Sequence, residues 1–270
     1  MSRAGVFFRR FLHCPGAREG AASGRGNGRS WRGRAGVLLL ILGVPLMAIP
    51  QDRVGPAQKR ALPTLQAAFK KAKLPYPPGA IFLRAFKEER VLELWAAEKA
   101  GAKMTLVKTY PVAGQSGKLG PKRREGDKQV PEGVYFVDRF NPQSRFHLSL
   151  GINYPNASDR VRSDRNRPGG DIFIHGDNKS IGCLAITDPL IEEVYTVALA
   201  VRGKGPIWVH IFPARLTEAK RKSLSRVHPE HASLWAELAP IYQAFEKDKR
   251  VPRVVIDKSG AYRLAPVKSG

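Results

Sequence analysis

A histidine and a cysteine eight positions apart are the residues of this chain whose types and spacing could do chemistry. They lie in the stretch IHGDNKSIGCLAITD, residues 174–188. Cys183 follows Ser180 and Gly182, a polar and glycine-rich setting that differs from the apolar surroundings of a structural cysteine. A thiol becomes a strong nucleophile when a nearby base takes its proton. The pattern therefore favours acyl transfer, with Cys183 as the nucleophile and His175 as the general base.

The backbone around this pair is predicted to support the same chemistry. His175 ends an apolar strand, and the polar turn after it allows the chain to bring Cys183 back towards the imidazole. The N–H groups of Gly182 and Cys183 are expected to form an oxyanion hole for an acyl intermediate. Because no carboxylate stands obviously beside His175, the carbonyl of Gly176 is the expected partner of its second ring nitrogen.

Two other interpretations of the pair remain open, a zinc site and a structural cysteine. A zinc site would need two further ligands, and His147 and His210 are the only nearby histidines in predicted strands. We expect His147 and His210 to pack in strand interiors or to support the site. His147 is also a candidate substrate contact and the first alternative base. No metal ion and no cofactor is predicted.

Short runs of branched and aromatic residues, bounded by turn-forming residues, predict the strands that position the site. The strongest predicted helix follows the cysteine, begins at Thr187 or Asp188 and ends at Gly203. Strands at short spacing around one helix indicate a mainly β domain. The predicted strands are 80–87, 90–98, 104–113, 133–140, 146–154, 171–176 and 206–214.

The segments outside this β domain are predicted as additions to it. The C-terminal part is a helical extension, helical over 217–249, followed by a hairpin at 254–264. The predicted organisation is 1–57, a basic segment with an export signal or membrane anchor; 58–78, a linker with a short amphipathic helix; 79–214, the catalytic domain; and 215–270, the C-terminal extension.

A basic, glycine-punctuated loop covers residues 117–135. One interpretation is a solvated hairpin loop that has no role in binding. The other is a rim that meets a negatively charged substrate. In the second case Lys122, together with Ser180 from the cysteine loop, is a candidate substrate contact.

The stretch HGDNKSIGC resembles the HG…SxGC signature of L,D-transpeptidase catalytic domains, the YkuD-type cysteine enzymes of peptidoglycan. Upstream, GPKRREGDKQVPEGVYFV is similar to that family's G-K…GD…TPEG-Y stretch, and FHLSLGINYPNASDR fits the segment between. The resemblance covers about residues 80–213. It implies an L,D-transpeptidase-like β-sandwich with one prominent helix after the catalytic cysteine. It also implies Cys183 as acyl-accepting nucleophile, His175 as base and the Gly176 carbonyl as its orienting group.

Two positions of the cysteine loop differ from many members of that family. Ile181 stands where they have a histidine, and Ala185 where they have an arginine that would suit the carboxylate of a donor peptide. The string SIGCLAITD is instead similar to a Gram-negative subgroup that includes a hydrolase, which releases the outer-membrane lipoprotein by cleaving a diaminopimelate–lysine amide. The resemblance therefore favours hydrolysis, with 3–3 cross-link formation or lipoprotein attachment as the alternative.

The charge and the N-terminus indicate where such an enzyme would work. The net charge of +23 predicts an anionic partner, and the eight arginines and one acid of residues 1–34 supply +7 of it. The apolar run 37–50 is typical of an export signal, with an uncleaved inner-membrane anchor or a buried helix as alternatives. In the periplasm Cys183 has no disulfide partner, because Cys14 is either removed or stays across the membrane.

The predicted partners are peptidoglycan stem peptides and peptidoglycan-linked outer-membrane lipoprotein, with membrane contact only through the N-terminal segment. Two other function classes compete with the enzyme. A catalytically silent wall-binding module would have the same fold. A basic nucleic-acid binder would explain the charge but not the Cys–His loop, so nucleic acid is not an expected partner.

Overall fold

The computed structural model describes residues 52–266, so the predictions for the apolar run 37–50 and for Cys14 lie outside the described residues. No helix among residues 52–266 is long and apolar enough to span a membrane. A short 3-10 turn, Pro229–His231, separates the last two helices. The elements in chain order are α1 (Val54–Lys71), β1 (Ala80–Phe86), β2 (Val91–Ala97), β3 (Thr105–Pro111), β4 (Gly133–Asn141), β5 (Ser149–Ile152), α2 (Ala157–Arg162), β6 (Phe173–His175), β7 (Leu184–Ala185), α3 (Asp188–Ala200), β8 (Trp208–Phe212), α4 (Glu218–Val227), α5 (Ala232–Asp248), β9 (Val254–Ile256) and β10 (Tyr262–Leu264).

Eight of the strands make one curled sheet in the order β3-β2-β1-β8-β4-β5-β6-β7. Strand β4 joins its two halves, because its first residues pair with β8 and its last with β5, and the register shifts between Val137 and Arg139. The two ends of the order meet where Gly114 exchanges backbone hydrogen bonds of 3.1 and 2.9 Å with Ala185 of β7. Gly114 lies three residues beyond β3, so this isolated bridge links the two ends of the sheet two residues after Cys183.

Both faces of the sheet are covered, which explains why β1 and β2 are nearly continuous apolar runs. Side chains alternate along a strand. In β1, Leu83 packs in the core that contains α1 and α3, and Phe82 packs in a second core with Phe245 of α5. The predicted fold class, mainly β with one prominent helix after Cys183 and a helical C-terminal part, is confirmed.

The terminal segments are packed more deeply than the sequence pattern predicts. The segment expected to be a linker with a short helix forms the 18-residue α1, whose buried residues join the main core beside α3. Helix α5 buries Trp235 in the core beneath the opposite face of the sheet. The described residues belong to one compact unit. The buried α1 residues recur every four positions, which places them on one helical face: Ala57, Ala61, Leu65 and Phe69.

Three local differences from the prediction have physical causes. The strand expected over 146–154 is reduced to β5, because His147 has a φ of 69° and leaves the ladder. Helix α2, absent from the prediction, begins at a capping box in which the Asn156 side chain accepts from the Asp159 N–H at 3.0 Å. The helical stretch 217–249 is divided into two helices by the turn that begins at Pro229. The C-terminal hairpin is confirmed as the antiparallel pair β9–β10.

Candidate active site

The parallel pairing of β6 with β7 brings His175 and Cys183 to the same face of the sheet. In this ladder Ile174 lies opposite Leu184, and His175 lies opposite Ala185. Ile174 and Leu184 are buried in the main core. Because side chains alternate, His175 and Cys183, which precedes Leu184, point to the other face. There both line one cavity of about 570 Å³.

The imidazole of His175 is buried and fixed in one tautomer. Its Nδ1 lies 2.6 Å from the carbonyl oxygen of Gly176, and because a carbonyl only accepts, Nδ1 carries the proton. Phe146 packs on the imidazole with ring centroids 4.6 Å apart. The lone pair is therefore on Nε2, which is the nitrogen left to accept a proton from a thiol. This geometry agrees with the predicted orienting role of the Gly176 carbonyl.

Burial keeps both members of the pair neutral near pH 7. Desolvation lowers the pKa of His175 below its ordinary 6.5, although the hydrogen bond to Gly176 acts in the opposite direction. Desolvation raises the pKa of the Cys183 thiol above its ordinary 9.0, against a backbone hydrogen bond at Phe173 and the charge of Lys122. The resting site therefore holds a thiol and a neutral imidazole in one cavity, and the base must take the proton as the sulfur attacks.

Both glycines of the motif are required by the backbone. Gly182 has a φ of 101°, in the left-handed region that other residues rarely adopt. At Gly176 a Cβ would collide with the Asp188 carboxylate and with the carbonyl oxygen of Phe146. The turn between them is ordered by the Asp177 N–H, which donates to the Asp188 carboxylate at 2.7 Å.

The two N–H groups predicted to form the oxyanion hole are hydrogen-bonded in the resting site. The N–H of Gly182 donates to the Ser116 hydroxyl at 2.6 Å, and the N–H of Cys183 donates to the Ser180 hydroxyl at 2.8 Å. Both N–H groups therefore already have a hydrogen-bond partner in the resting site. The Ser180 hydroxyl also donates to the carbonyl of Cys183 at 2.6 Å. Ser180, predicted as a substrate contact, instead holds the backbone of the nucleophile in place.

Lys122 does not present its charge to the surface as the predicted rim requires. Its side chain is buried, and its ammonium lies 2.6 Å from the Asp127 carboxylate and donates to the carbonyl of Arg124 at 2.8 Å. This part of the loop 117–135 is a buried ion pair. Burying the charge is tolerable because both partners satisfy it.

The two histidines considered for a zinc site lie away from the Cys183 cavity. His147 Nε2 is 2.7 Å from a carboxylate oxygen of Glu192, beside a second cavity. His210 lies inside β8, as predicted, packs edge-on against Phe82, and has its pKa lowered by burial to about 3. Among residues 52–266, no three histidine, cysteine or acidic side chains lie close enough to hold a metal ion.

Sequence reasoning missed the hairpin loop between β4 and β5, residues 142–148, as a wall of the site. This loop contributes Ser144, Arg145 and Phe146 to the lining of the Cys183 cavity, and Ser149 follows at the start of β5. The string NPQSRF contains turn-forming residues, but nothing in it indicates contact with a histidine about thirty positions away. The ladder between β5 and β6, which pairs Ser149 with His175, creates that contact.

The raised pKa of Cys183 predicts slow alkylation at neutral pH. In full-length Cys14→Ser protein, the rate of reaction with iodoacetamide at pH 7 should lie below that of a free thiol such as N-acetylcysteine. It should then rise about tenfold per pH unit until the pH passes the raised pKa, because only the thiolate reacts. Intact-mass spectrometry after timed quenching measures the rate. A fast rate that is flat across neutral pH would indicate a resting thiolate–imidazolium pair and contradict this account.

Comparisons of the sequence with known proteins place the Cys183–His175 site inside a matched region. The family model described as L,D-transpeptidase catalytic domain (YkuD) matches residues 83–211. YafK of Escherichia coli (strain K12), which is classed with the L,D-transpeptidases, is 36% identical over 180 residues, or 65% of this chain and 70% of YafK. YafK of Escherichia coli O157:H7 matches with the same values.

Comparisons with solved structures return more distant likenesses. The helical cell shape determining protein Pgp2 from Campylobacter jejuni has a TM-score of 0.42 and 17% identity, over 66% of this chain and 73% of that chain. Mycobacterium tuberculosis L,D-transpeptidase 1 has a TM-score of 0.29 and 13% identity, over 49% of this chain and 62% of that chain.

Proposed function

Because this chain belongs to the YkuD family of L,D-transpeptidase catalytic domains and is an enzyme of that family, we propose that it acts on peptidoglycan stem peptides by cysteine acyl transfer. In this proposal Cys183 is the nucleophile, His175 the general base, and the Gly176 carbonyl the group that orients the base. One observation carries the proposal: a tautomer-fixed imidazole lines the same cavity as the thiol.

The resting geometry supports a two-step reaction at an amide of the L-centre of diaminopimelate. Nε2 of His175 accepts the thiol proton while Sγ of Cys183 attacks the amide carbonyl carbon. The same proton passes to the leaving amine as the C–N bond breaks, which leaves a thioester on Cys183. Water or a second amine then attacks the thioester, His175 takes its proton, and the thiol is regenerated.

We favour water as the nucleophile that resolves the thioester, with detachment of wall-linked outer-membrane lipoprotein as the reaction. Ala185, the position where many family members have an arginine, is fully buried at the bridge that links the two ends of the sheet. A Cβ on Gly114 would already approach the methyl group of Ala185 at 3.2 Å. A long cationic side chain at this buried position would require its neighbours to shift, which supports the similarity of SIGCLAITD to the lipoprotein-releasing subgroup.

A second cavity supports transfer as the alternative function. This cavity, of about 380 Å³, shares Arg145 and Phe146 with the Cys183 cavity. It is also lined by Asp177 and Asp188, neither of which forms an ion pair with another residue of the described chain. A cavity of this size and charge beside the thioester could hold an acceptor amine, which 3–3 cross-linking or lipoprotein attachment requires.

The proposed location is the periplasm, with the apolar run 37–50 as export signal or inner-membrane anchor. The support is the sequence pattern of that run and the proposed substrate, which lies outside the inner membrane. The net charge of +23 suits a polymer rich in carboxylates, because it raises the local concentration of an anionic substrate.

Incubation of the full-length protein with defined muropeptides tests hydrolysis against transfer. The set should include tetrapeptide forms and forms that carry the Lys-Arg remnant of the lipoprotein, with products separated by chromatography and identified by mass. Loss of the Lys-Arg remnant without new dimers is the expected result. New 3–3 cross-linked dimers would overturn the preference for hydrolysis and leave acyl transfer intact.

A further inference from the structure

One cationic side chain on the wall of the Cys183 cavity forms no ion pair within residues 52–266, although Asp177 and Asp188 line the second cavity that it also borders. Apart from His175, Arg145 is the only basic residue among those that line this cavity. The acidic lining residue, Asp171, is paired with Arg139 at 2.8 Å. Arg145 is exposed and forms no ion pair or hydrogen bond through its side chain with any other residue of the described chain. Its guanidinium is therefore a free anion-binding group beside the nucleophile.

The backbone that carries Arg145 is fixed on both sides. Arg53, just before α1, donates through Nη1 to the carbonyls of Ser144 at 2.7 Å and His147 at 3.2 Å. The N–H of Gly176 donates to the carbonyl of Phe146 at 3.1 Å, which ties the loop to the residue after the base. A fixed backbone lowers the entropy lost when a ligand is bound.

A second polar group of the same hairpin also lacks a partner. Ser149 is 2% exposed, lies opposite His175 in the β5–β6 ladder and lines the cavity. No hydrogen bond within residues 52–266 involves its hydroxyl. The Ser149 oxygen is not among the fully enclosed polar atoms that lack a partner, so it is accessible from the cavity. An accessible hydroxyl and an unpaired guanidinium in one cavity are two donors that an anionic oxygen ligand can accept from.

We infer that Arg145 is a specificity-determining residue that binds a free carboxylate of the substrate close to the amide attacked by Cys183, with the Ser149 hydroxyl as a second donor. This inference rests on the proposed function. Guanidinium–carboxylate pairs form two parallel charge-assisted hydrogen bonds, so they select an acid over the amide of the same shape. Two carboxylates qualify: the one at the D-centre of diaminopimelate and the terminal one of the leaving residue.

The test is a binding titration that needs no turnover. Full-length Cys183→Ala protein is titrated by calorimetry with three stem peptides: one with both carboxylates free, one amidated at the D-centre and one amidated at the leaving residue. Amidation of one carboxylate should weaken binding by about 10- to 100-fold, the usual range for a charge-assisted hydrogen bond. The amidated peptide that binds more weakly identifies the carboxylate that Arg145 binds.

Arg145→Ala in the same background should weaken binding of the free acid by a similar factor and should abolish the discrimination between acid and amide. The affinity of Arg145→Lys for the free acid should lie between those of the parent and Arg145→Ala. Lysine keeps the positive charge but cannot form the two parallel hydrogen bonds of a guanidinium. Arg226→Ala, which removes an exposed arginine from the last turn of α4, is the matched control for net charge and should bind as the parent does.

Two results would overturn the inference: equal affinity of the parent for acid and amide, or undiminished discrimination in Arg145→Ala. The binding measurement can succeed or fail independently of the proposed enzyme activity. If muropeptides bind with this discrimination but the wild-type protein never turns them over, the proposed enzyme activity fails and the carboxylate site stands.

Discussion

Replacing Cys183 by alanine is expected to lower turnover of muropeptides by roughly 10⁴-fold or more, because the thioester route is lost. Serine should also fail, since an alcohol is much harder to deprotonate than a thiol and the pKa of His175 is lowered. The fold should survive. The hydrogen bonds to Ser180 use the backbone of Cys183, and its sulfur makes a weak hydrogen bond to the carbonyl of Asp171 at 3.7 Å. We expect the free energy of unfolding to change by about 1 kcal/mol or less.

Chromatography with mass detection measures turnover for the Cys183 variants, and circular dichroism during heating measures their stability. Cys14→Ser, which removes the other cysteine of the chain, is the matched control and should retain wild-type turnover. A folded Cys183→Ala protein with wild-type turnover would exclude the thiol from the reaction.

Replacing His175 by alanine is expected to lower kcat by roughly 10²- to 10⁴-fold, the usual loss for a general base. The dependence of wild-type activity on pH should also report the protonation of His175. Because burial lowers the pKa of His175, the neutral base persists as the pH falls through 6.5, and activity should decline only below that value. In His175→Ala this acidic limb should disappear, which a merely structural role would not produce.

The control for His175 uses another histidine of the chain. His228→Ala removes a partly exposed histidine at the end of α4 and should retain wild-type kcat. Near-full activity of His175→Ala would require another base. His147 is then the first candidate, but its Nε2 is already engaged by Glu192 at 2.7 Å, so the structure favours His175.

The local part of the site could be predicted from the sequence because its contacts are local. Gly176 is adjacent to His175, and Ser180 is three residues from Cys183, so a short motif contains both the reactive groups and the atoms that hold them. The strands were predictable for a similar reason: apolar runs bounded by turns are short-range signals, and the helix after Cys183 has a clear start.

The rest of the site depends on contacts between distant segments, which leave no local pattern. The Ser116 hydroxyl, 66 residues away along the chain, accepts a hydrogen bond from the Gly182 N–H, which is one of the two groups predicted to form the oxyanion hole. Arg53 holds the loop that carries Arg145 across more than 90 residues. The Lys122 prediction fails for a different reason, because its partner Asp127 is only five residues away. The charge of Lys122 predicts a solvent-exposed rim, but only the fold reveals that this ion pair is buried.

Covalent trapping of Cys183 is the most direct test of the central claim that this residue forms an acyl-enzyme. A carbapenem suits the test, because its strained amide acylates a nucleophile and the opened ring stays attached. Wild-type protein should gain the mass of one carbapenem, and peptide mapping should place the adduct on Cys183. Cys183→Ala should gain none, and His175→Ala should react more slowly. Absence of an adduct on the folded wild-type protein, together with no activity on muropeptides, would contradict the account and favour a catalytically silent wall-binding module.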